Sequence, residues 1–450
     1  MCVPWAPTVT DGAPPGGWRK GRAAGALDVT IVPRVRRTNW AGNYTYRARG
    51  LHSPSTLEQV QEIAASAPRL RALGSGHSFT DIADSAEQLT VSGLPAEVVV
   101  DHAAHTVSVA AGLTYGQLAL ALTSEGVALA NLASLPHISV AGAVTTASHG
   151  SGDANGNLAT AVAAIEIVTS AGDVLTASRA DPDFNGLVVG LGALGVVTRL
   201  TLDVEPAYEI RQRVFEVLPW EAVFEHLDAI TSSGYSVSLL TNWGEAVDRV
   251  WVKERVTAAP ERVRADLFGA VAATRDQHVI AGLDPVNCTP QLGVPGLWSE
   301  RLPHFRLGFT PSAGDEIQSE YLVPRQHAVA ALQAVRSLAD TMRPLLQVSE
   351  IRTVAADGLW MSPQYGQATI AIHFTWQRSQ AAVQRAVREV ETALAPFEAR
   401  PHWGKLFLAD GTAISSHYER FADFADLVAR IDPRGAFRND WLETHLFGRS

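Results

Sequence analysis

The segment 71–80, RALGSGHSFT, limits the fold most tightly, because its backbone must turn sharply and admit a close neighbour. Two glycines, Gly74 and Gly76, bracket a serine, and His77 follows directly. Glycine lacks a Cβ atom, so it allows a tight turn and a close approach of the backbone to a ligand. A phosphate group would account for the glycines, but it does not need an imidazole. The segment therefore predicts a binding loop whose ligand also uses His77.

The residues just before this turn predict a helix and a strand. Residues 55–66 place apolar side chains at helical spacing, and Ser55 and Glu58 have the spacing of a capping box. Residues 69–73, RLRAL, then predict a short strand that runs into the glycine turn. Because ligands of α/β proteins usually bind at the C-terminal ends of strands, this order supports a ligand site at the turn.

Strands and helices are mixed along the remaining chain, with no repeat of fixed period. The hydrophobic patterns predict strands at 96–101, 105–112, 235–243, 248–255 and 370–376, a hairpin at 164–178 and a turn into a strand at 191–206. They also predict helices at 114–124, 325–342 and 380–397, and one helix and a turn within 421–442. Composition changes after Pro206, where aromatic and charged residues become more frequent. We therefore predict a disordered N-terminal extension (1–37), a nucleotide-binding domain (38–206), an inserted α+β domain (207–400) and a C-terminal segment (401–450) that returns to the first domain.

Charge and cysteine content narrow the partners and the compartment. The formal net charge is −10, which argues against nucleic acid or an anionic membrane as the main partner. Cys2 and Cys288 are too few for a disulfide framework or a cysteine-based metal site. No apolar run reaches the ~20 residues needed to cross a bilayer, and the N-terminus has no stretch suited to a signal peptide. We expect a cytoplasmic monomer that acts on a small molecule.

A second loop, residues 130–156, is rich in Gly, Ala and Ser and has almost no charge. A core segment would need large apolar side chains to fill its volume. A bare backbone instead fits against a flat, extended ligand whose pyrophosphate is held by N–H groups. His137 is expected to be a hydrogen-bonded structural residue, whereas for His149 ligand contact and support of the turn stay equally open. Ser151 is not in a G-x-S-x-G elbow, which disfavours a serine hydrolase.

Eight short motifs follow one another between Asn39 and Phe447: LGSGHSF, SLPHISVAGAV, SHGSG, GALGVVT, SEIRTVAAD, AIHFTW, RPHWGK and DPRGAF. In this order they resemble the vanillyl-alcohol-oxidase-type FAD oxidoreductases, and among these the alditol oxidases. The sugar-lactone oxidases are similar as near relatives. Eight motifs in one order are far more specific than any one of them. The resemblance covers the whole chain except its N-terminal extension.

The resemblance implies an α+β, two-domain FAD-binding fold of the p-cresol-methylhydroxylase type, with an inserted α+β cap domain for the substrate. It also implies FAD that is bonded covalently, through its 8α-methyl carbon, to His77. Such a bond is chemically reasonable because a neutral imidazole nitrogen is a nucleophile near pH 7. No metal is expected. The residues expected to contact FAD are Ala72, Leu73, Gly74, Ser75, Gly76, His77, Ser78, Ser134, Ser139, Gly142, Thr146, Ala147, Ser148, His149 and Val197.

Polar residues at strand spacing point to a substrate site. Glu350 and Arg352 lie two apart, as do His373 and Thr375, so each pair shares one face of a strand. Lys405 follows in the motif RPHWGK. On residue pattern alone, cross-strand salt bridges or a solvated sheet face would be the commoner explanation. The resemblance favours substrate contact instead, by Ser134, Glu350, Arg352, Thr375 and Lys405.

The activity that the resemblance implies is oxidation of a terminal –CH₂OH group of an acyclic polyol, such as xylitol or sorbitol, with O₂ reduced to H₂O₂. We expect Arg352 and Lys405 to stabilise the developing alkoxide and His373 to receive the hydroxyl proton. Ala133 is small enough to leave room for O₂ near the flavin ring. An aldonolactone oxidase or dehydrogenase on the same fold is the alternative activity. A flavin-binding protein without turnover is a further alternative, in which the same charges are structural.

Overall fold

The structure is a computed structural model of the 450-residue chain, and it describes residues 31–32, 37–258, 265–308 and 315–448. The helices within these ranges are α1 (Leu57–Ser66), α2 (Tyr115–Ser124), α3 (Val140–Thr145), α4 (Phe184–Leu187), α5 (Trp220–Thr231), α6 (Ala328–Arg336), α7 (Ala339–Met342), α8 (Gln380–Leu394), α9 (Gly411–Ser415), α10 (Phe421–Ile431) and α11 (Asp440–Leu442). None of these described helices has both the length and the apolar character that a membrane span requires.

The strands belong to four sheets. They are β1 (Ile31–Val32), β2 (Leu51–His52), β3 (Leu70–Ala72), β4 (Glu87–Leu89), β5 (Val98–Asp101), β6 (Thr106–Ala110), β7 (Val127–Ala128), β8 (Val162–Val168), β9 (Val174–Ser178), β10 (Val196–Asp203), β11 (Glu205–Pro206), β12 (Glu209–Pro219), β13 (Ser236–Thr241), β14 (Ala246–Arg255), β15 (Asp266–Leu267), β16 (Ala270–Ala272), β17 (Gly296–Leu297), β18 (Glu316–Pro324), β19 (Leu346–Val354), β20 (Thr369–Gln377) and β21 (Arg400–Pro401).

The first part of the chain forms three small sheets. Strands β1-β2-β4-β3 form a sheet in which β4 pairs parallel to both β2 and β3. Strands β5-β6-β10-β8-β9 form an antiparallel sheet, and β7 pairs with β11. The predicted hairpin at 164–178 is confirmed as the antiparallel pair β8–β9. The strand β3 ends at Ala72, so the glycine turn begins where the sequence predicted it.

A larger antiparallel sheet occupies the middle of the chain, in the order β15-β16-β12-β14-β13-β19-β20-β18-β21, with β17 beside β12. It begins at β12, three residues after β11 ends at Pro206, and its last strand, β21, ends at Pro401. The predicted strands 235–243, 248–255 and 370–376 are confirmed as β13, β14 and β20. The domain boundaries drawn from composition stay a prediction, and most of the predicted extension lies outside the described residues.

Two helix predictions need correction. The cap of α1 is Thr56 rather than Ser55: the Thr56 hydroxyl accepts from the Gln59 N–H at 3.3 Å, because the helix begins one residue later than its pattern suggested. The predicted helix 325–342 is divided into α6 and α7, with a 3₁₀ turn before α6. By contrast, the predicted helix 114–124 is confirmed as α2, and a capping box between Thr114 and Gln117 forms its N-terminal end.

Strand pairing places the polar residues of the large sheet in one row. Glu320 on β18 lies opposite His373 on β20, which in turn lies opposite Glu350 on β19. Side chains alternate between the two faces of a strand, so the neighbours Ile351 and Ile372 point the other way and are fully buried. One face of the sheet is therefore core, and the other carries charge.

Candidate active site

A cavity of about 700 Å³ lies between the glycine-rich loops and the polar face of the large sheet. One side is lined by residues 71–79 and by parts of the segments 133–149 and 191–197, and the other by side chains from β18, β19, β20 and the segment after β21. The sequence-predicted cofactor and substrate residues, which are far apart in the chain, therefore surround one space. The cavity has two different walls. One consists of small residues and backbone, and the other consists of charged side chains.

The glycine turn packs tightly against the start of α3. The Ser139 N–H donates to the Ser75 hydroxyl at 3.1 Å, and the Ser75 N–H donates to the Ser139 hydroxyl at 3.4 Å. A Cβ atom at Gly74 would lie 2.3 Å from the Ser139 hydroxyl oxygen, and one at Gly142 would lie 2.7 Å from it. Gly76 has a φ of +68°. The glycines are thus needed because two loops meet and one of them turns through the left-handed region.

His77 lines the cavity and stacks on Trp40, with ring centroids 5.0 Å apart and an interplanar angle of 18°. Both ring nitrogens are buried. Among the described residues neither makes a hydrogen bond of normal geometry, although the backbone of Ser75 acts weakly on the ring. Burial, together with His137, lowers the pKa of His77 to about 4. The imidazole is therefore neutral at pH 7 and keeps a free lone pair.

Glu320 is the centre of the charged wall, and its side chain has 0% exposure. One carboxylate oxygen accepts from Arg352 Nη2 and the other from Lys405 Nζ, both at 2.6 Å. Burial would raise the pKa of Glu320, but Lys405 and Arg352, with His149, hold it well below its usual range. Glu320 is therefore an ionised carboxylate that joins the two cations.

His373 is held between Lys405 and Thr375. Lys405 Nζ lies 2.8 Å from His373 Nδ1, and His373 Nε2 lies 3.0 Å from the Thr375 hydroxyl. A lysine ammonium can only donate, so Nδ1 is the acceptor and Nε2 carries the proton that is donated to Thr375. Burial, and next Lys405, lowers the pKa of His373 to about 4, so the ring is neutral.

Glu350 lies on the far side of Arg352 from Glu320. Its Oε1 accepts from His304 Nε2 at 2.7 Å, and its Oε2 is 3.7 Å from Arg352 Nε. Burial would raise the pKa of Glu350, but Arg352 and His304 hold it well below its usual range. Burial lowers the pKa of Arg352, but Glu350 and Glu320 outweigh this and raise it overall. Two ionised carboxylates and two cations thus alternate along this wall.

The predicted residues are brought together with one exception. Ala147 does not line the cavity, because its side chain is 1% exposed and packs in the core. Lining residues include the other predicted positions, namely Ala72, Leu73, Gly74, Ser75, Gly76, His77, Ser78, Ser134, Ser139, Gly142, Thr146, Ser148, His149, Val197, Glu350, Arg352, His373, Thr375 and Lys405. Their individual roles stay predictions.

The two loop histidines differ in position. His137 Nε2 bonds the Leu307 carbonyl at 2.9 Å and does not line the cavity, in agreement with a structural residue. His149 supports the turn, because its Nδ1 bonds the Gly150 carbonyl at 2.9 Å, while its Nε2 faces Glu320 at 3.4 Å and the residue lines the cavity. Contact of His149 with the ligand stays a prediction. The Ser151 hydroxyl bonds Ser236 at 2.6 Å, which is not the histidine partner of a serine nucleophile.

Sequence reasoning missed Glu320, His304 and His402, which all line the cavity. For Glu320 a signal existed, because Glu316, Gln318 and Glu320 alternate along β18 with the same spacing as Glu350 and Arg352. His149, Glu320 and His402 bring possible metal-ligand atoms within 4.8 Å of one another. However, Arg352 and Lys405 already bind both oxygens of Glu320 and oppose a further positive charge there.

Comparisons with known proteins agree with this site. A family model described as "FAD binding domain" matches residues 48–178, and one described as "D-arabinono-1,4-lactone oxidase" matches residues 315–445. An alditol oxidase from Streptomyces sp. (strain IKD472 / FERM P-14339) is 47% identical over 416 residues, which are 91% of this chain and 99% of that relative. The chain belongs to the alditol oxidase family. It is therefore an FAD-dependent oxidoreductase.

Other similarities of this alditol oxidase family member are more distant. An L-gulono-1,4-lactone dehydrogenase from Mycobacterium tuberculosis (strain ATCC 25618 / H37Rv) is 27% identical over 427 residues, or 91% of this chain and 98% of that relative. The crystal structure of cholesterol oxidase from B. sterolicum superposes with a TM-score of 0.77 at 15% identity, and covers 92% of this chain and 97% of that one. This likeness, with the FAD-binding match, confirms the predicted α+β FAD-binding fold.

The cavity also fits FAD by its own chemistry. The glycine turn and the loop before α3 offer backbone and small side chains where a flat, extended molecule needs close approach. His77 lines the same space, and its two ring nitrogens are buried without a hydrogen bond of normal geometry from any described residue. A protein that binds no ligand there would leave these buried polar atoms unsatisfied, which is costly. The residues present therefore match the cofactor that the family uses.

Proposed function

We propose that this protein oxidises the terminal primary alcohol of an acyclic polyol, such as xylitol or sorbitol, to the aldose and passes the electrons to O₂. The overall reaction is RCH₂OH + O₂ → RCHO + H₂O₂. The observation that carries the proposal is the pair of cations, Lys405 and Arg352, which Glu320 holds at one wall of the cavity that His77 also lines. Such a pair is suited to stabilise an alkoxide in a site that excludes water.

The polar wall suits a chain of hydroxyl groups because it offers both donors and acceptors. Glu350 Oε2 is free of hydrogen bonds from Arg352, so it can accept from one substrate hydroxyl. Thr375 accepts from His373 and keeps its own proton to donate to another. Ser134 offers a further hydroxyl on the opposite side of the cavity. A site built on such contacts can reject analogues that lack a hydroxyl by large factors.

Oxidation of –CH₂OH removes a hydride and a proton, and bound FAD supplies the hydride acceptor. Lys405 and Arg352 lower the energy of the alkoxide that forms as the proton leaves. His373 is the proposed proton acceptor, but its Nδ1 accepts a hydrogen bond from Lys405. We therefore assign the proton step to the pair: Lys405 passes a proton to His373 Nδ1 as it takes one from the hydroxyl.

The free ring nitrogens of His77 support covalent attachment of FAD, which is the finer form of the cofactor proposal. The bond joins an imidazole nitrogen to the 8α-methyl carbon. Formation of this bond would release one hydrogen from the methyl group and one from the imidazole N–H of His77, and O₂ would take up both with their electrons as H₂O₂. Ala133, which lines the cavity beside Ser134, is the proposed point of access for O₂.

A sugar-1,4-lactone oxidase or dehydrogenase is the second candidate, supported by the lactone oxidase match over residues 315–445. We favour the polyol because the alditol oxidase relative is 47% identical and the lactone dehydrogenase relative 27%. The net charge of −10 supports the proposal that neither nucleic acid nor an anionic membrane is a partner, and the two cysteines suit a reducing compartment such as the cytoplasm. We also propose that the protein is a monomer. Size-exclusion chromatography with light scattering tests the monomer.

A peroxide assay with xylitol, sorbitol and gulono-1,4-lactone tests the activity. We expect peroxide from the two polyols, and oxidation of the lactone alone would overturn the assignment. Anaerobic bleaching of the flavin spectrum by xylitol separates catalysis from simple flavin binding. Unbleached flavin after addition of all three compounds would show a binding protein without turnover.

A further inference from the structure

His304 is a buried histidine that contacts the substrate wall from outside the large sheet's strands. It follows the 3₁₀ turn Trp298–Glu300, is 4% exposed and lines the cavity. Its backbone N–H donates to the Ser134 carbonyl at 3.2 Å, and its Nε2 lies 2.7 Å from Glu350 Oε1. One residue therefore contacts two of the proposed substrate-binding positions, which face each other across the cavity.

Lys253, on β14, lies behind His304 and is 1% exposed. Its Nζ donates to the Leu302 carbonyl and lies 3.2 Å from His304 Nδ1. Because the Glu350 carboxylate is an acceptor only, His304 Nε2 must carry the proton, which leaves Nδ1 to accept from Lys253. The contact with Glu350 and the contact with Lys253 therefore require the same neutral tautomer of His304.

This arrangement repeats the one at Lys405. In each case a lysine donates to Nδ1 of a histidine, and Nε2 of that histidine donates to a substrate-facing group: Thr375 in one case and Glu350 in the other. With Oε1 occupied by His304, Glu350 presents Oε2 to the cavity. The geometry of this carboxylate thus depends on a residue that lies outside the sheet.

We propose that His304 is a further specificity-determining residue of the polyol site, which fixes Glu350 as a hydrogen-bond acceptor, and that Lys253 is its positioning residue. This inference rests on the proposed polyol oxidation. The charged groups that act on His304 are Lys253, Glu350 and Arg352, while the Trp251 ring packs edge-on against it. Burial, and next Lys253, lowers the pKa of His304, in accord with a neutral ring.

The kinetic test compares His304→Leu with His304→Gln in the FAD-loaded protein. Loss of a hydrogen bond to a carboxylate should raise KM for xylitol about 10- to 100-fold in His304→Leu, with kcat within about threefold of wild type. The amide of His304→Gln still donates, so its KM should stay within about threefold. Ser236→Ala, beside Lys253 on β13, controls for the loss of a nearby buried hydrogen bond. Equal KM values in all variants, or equal losses in Leu and Gln, would overturn the proposal.

A spectroscopic test does not depend on substrate. The ¹⁵N signals of His304 in the wild-type holoenzyme should show a neutral ring with its proton on Nε2 at pH 7.5. In Lys253→Met the pKa of His304 should rise, because one of the groups that lowers it is gone. A proton on Nδ1, or an unchanged titration in Lys253→Met, would contradict the assignment even if xylitol proves not to be a substrate. Failure of wild type to oxidise either xylitol or sorbitol would instead refute the proposed function.

Discussion

Glu320→Gln tests the charge arrangement most directly, because it removes one negative charge and almost no volume. In the native site the Glu320 oxygens lie 2.6 Å from Lys405 Nζ and 2.6 Å from Arg352 Nη2. After the substitution Arg352 still has Glu350 nearby, at 3.7 Å. Among the described side chains, Lys405 keeps His373, a neutral ring, as its other hydrogen-bond partner, and Glu350 acts on it more weakly. The variant should therefore affect Lys405 more strongly than Arg352.

The size of the effect follows from these distances. Two unit charges 2.6 Å apart attract by about 6 kcal/mol at an effective dielectric constant of 20, before the cost of removing them from water. Breaking a buried pair by removing one partner costs about 3–5 kcal/mol. At the lower figure the protonation equilibrium of Lys405 changes by about a hundredfold.

The direction of the pH effect is fixed by the groups around Lys405. Burial lowers the pKa of Lys405, and Glu320 is the largest influence that opposes this. Without Glu320 the pKa falls further, so the ammonium is lost at a lower pH as the pH rises. Substrate oxidation in Glu320→Gln should therefore begin to fall at a lower pH than in the wild type, and it should recover as the pH is lowered.

Stopped-flow reduction of the flavin by xylitol under anaerobic conditions, from pH 6 to 9, measures this effect. Glu316→Gln is the matched control, since Glu316 lies on the same face of β18 but about 13 Å further along the strand. Glu316→Gln should leave unchanged the pH above which the rate falls, which we call the alkaline limit. The reasoning fails if Glu320→Gln keeps the alkaline limit and rate of wild type, or if Glu316→Gln shifts the limit equally.

Three further substitutions test the other parts of the site. Lys405→Met should cut the single-turnover rate of flavin reduction by orders of magnitude while FAD stays bound, and an unchanged rate would refute its role. His77→Ala should lose the yellow colour that stays with the protein after precipitation by trichloroacetic acid, although FAD still binds reversibly. Gly74→Ala should weaken FAD binding, because its Cβ would meet the Ser139 hydroxyl at 2.3 Å, whereas Gly308→Ala, with nothing within 4 Å, should not.

The sequence was most informative where chemistry and local geometry coincide. The turn at His77 combines glycines that a close packing contact requires with a reactive side chain, and both are visible in a few residues. Glu350 and Arg352, like His373 and Thr375, were predicted to share a face because strand alternation is a local rule. Strand pairing alone then brings these two pairs together, since Glu350 lies opposite His373.

What the sequence could not provide is contact between distant residues. Glu320 is 85 positions from Lys405, and nothing local shows that one carboxylate would join two cations. His304 follows no periodic pattern, so its contact with Glu350 depends wholly on tertiary structure. The same limit applies to Ala147, because its neighbours Thr146 and Ser148 line the cavity while its own side chain packs in the core. The cap of α1 shows a smaller error, because Ser55 and Thr56 are both good capping residues.

The in-step pairing of β18, β20 and β19 also bears on how the chain reaches its native state. A slip of one residue in β19 or β20 would turn Ile351 or Ile372 into the cavity and drive Glu350, Arg352 or His373 into the apolar interior. Unpaired charges in that interior are costly, so a misaligned pairing is disfavoured. The charged groups proposed for catalysis thus also favour the native register of these strands.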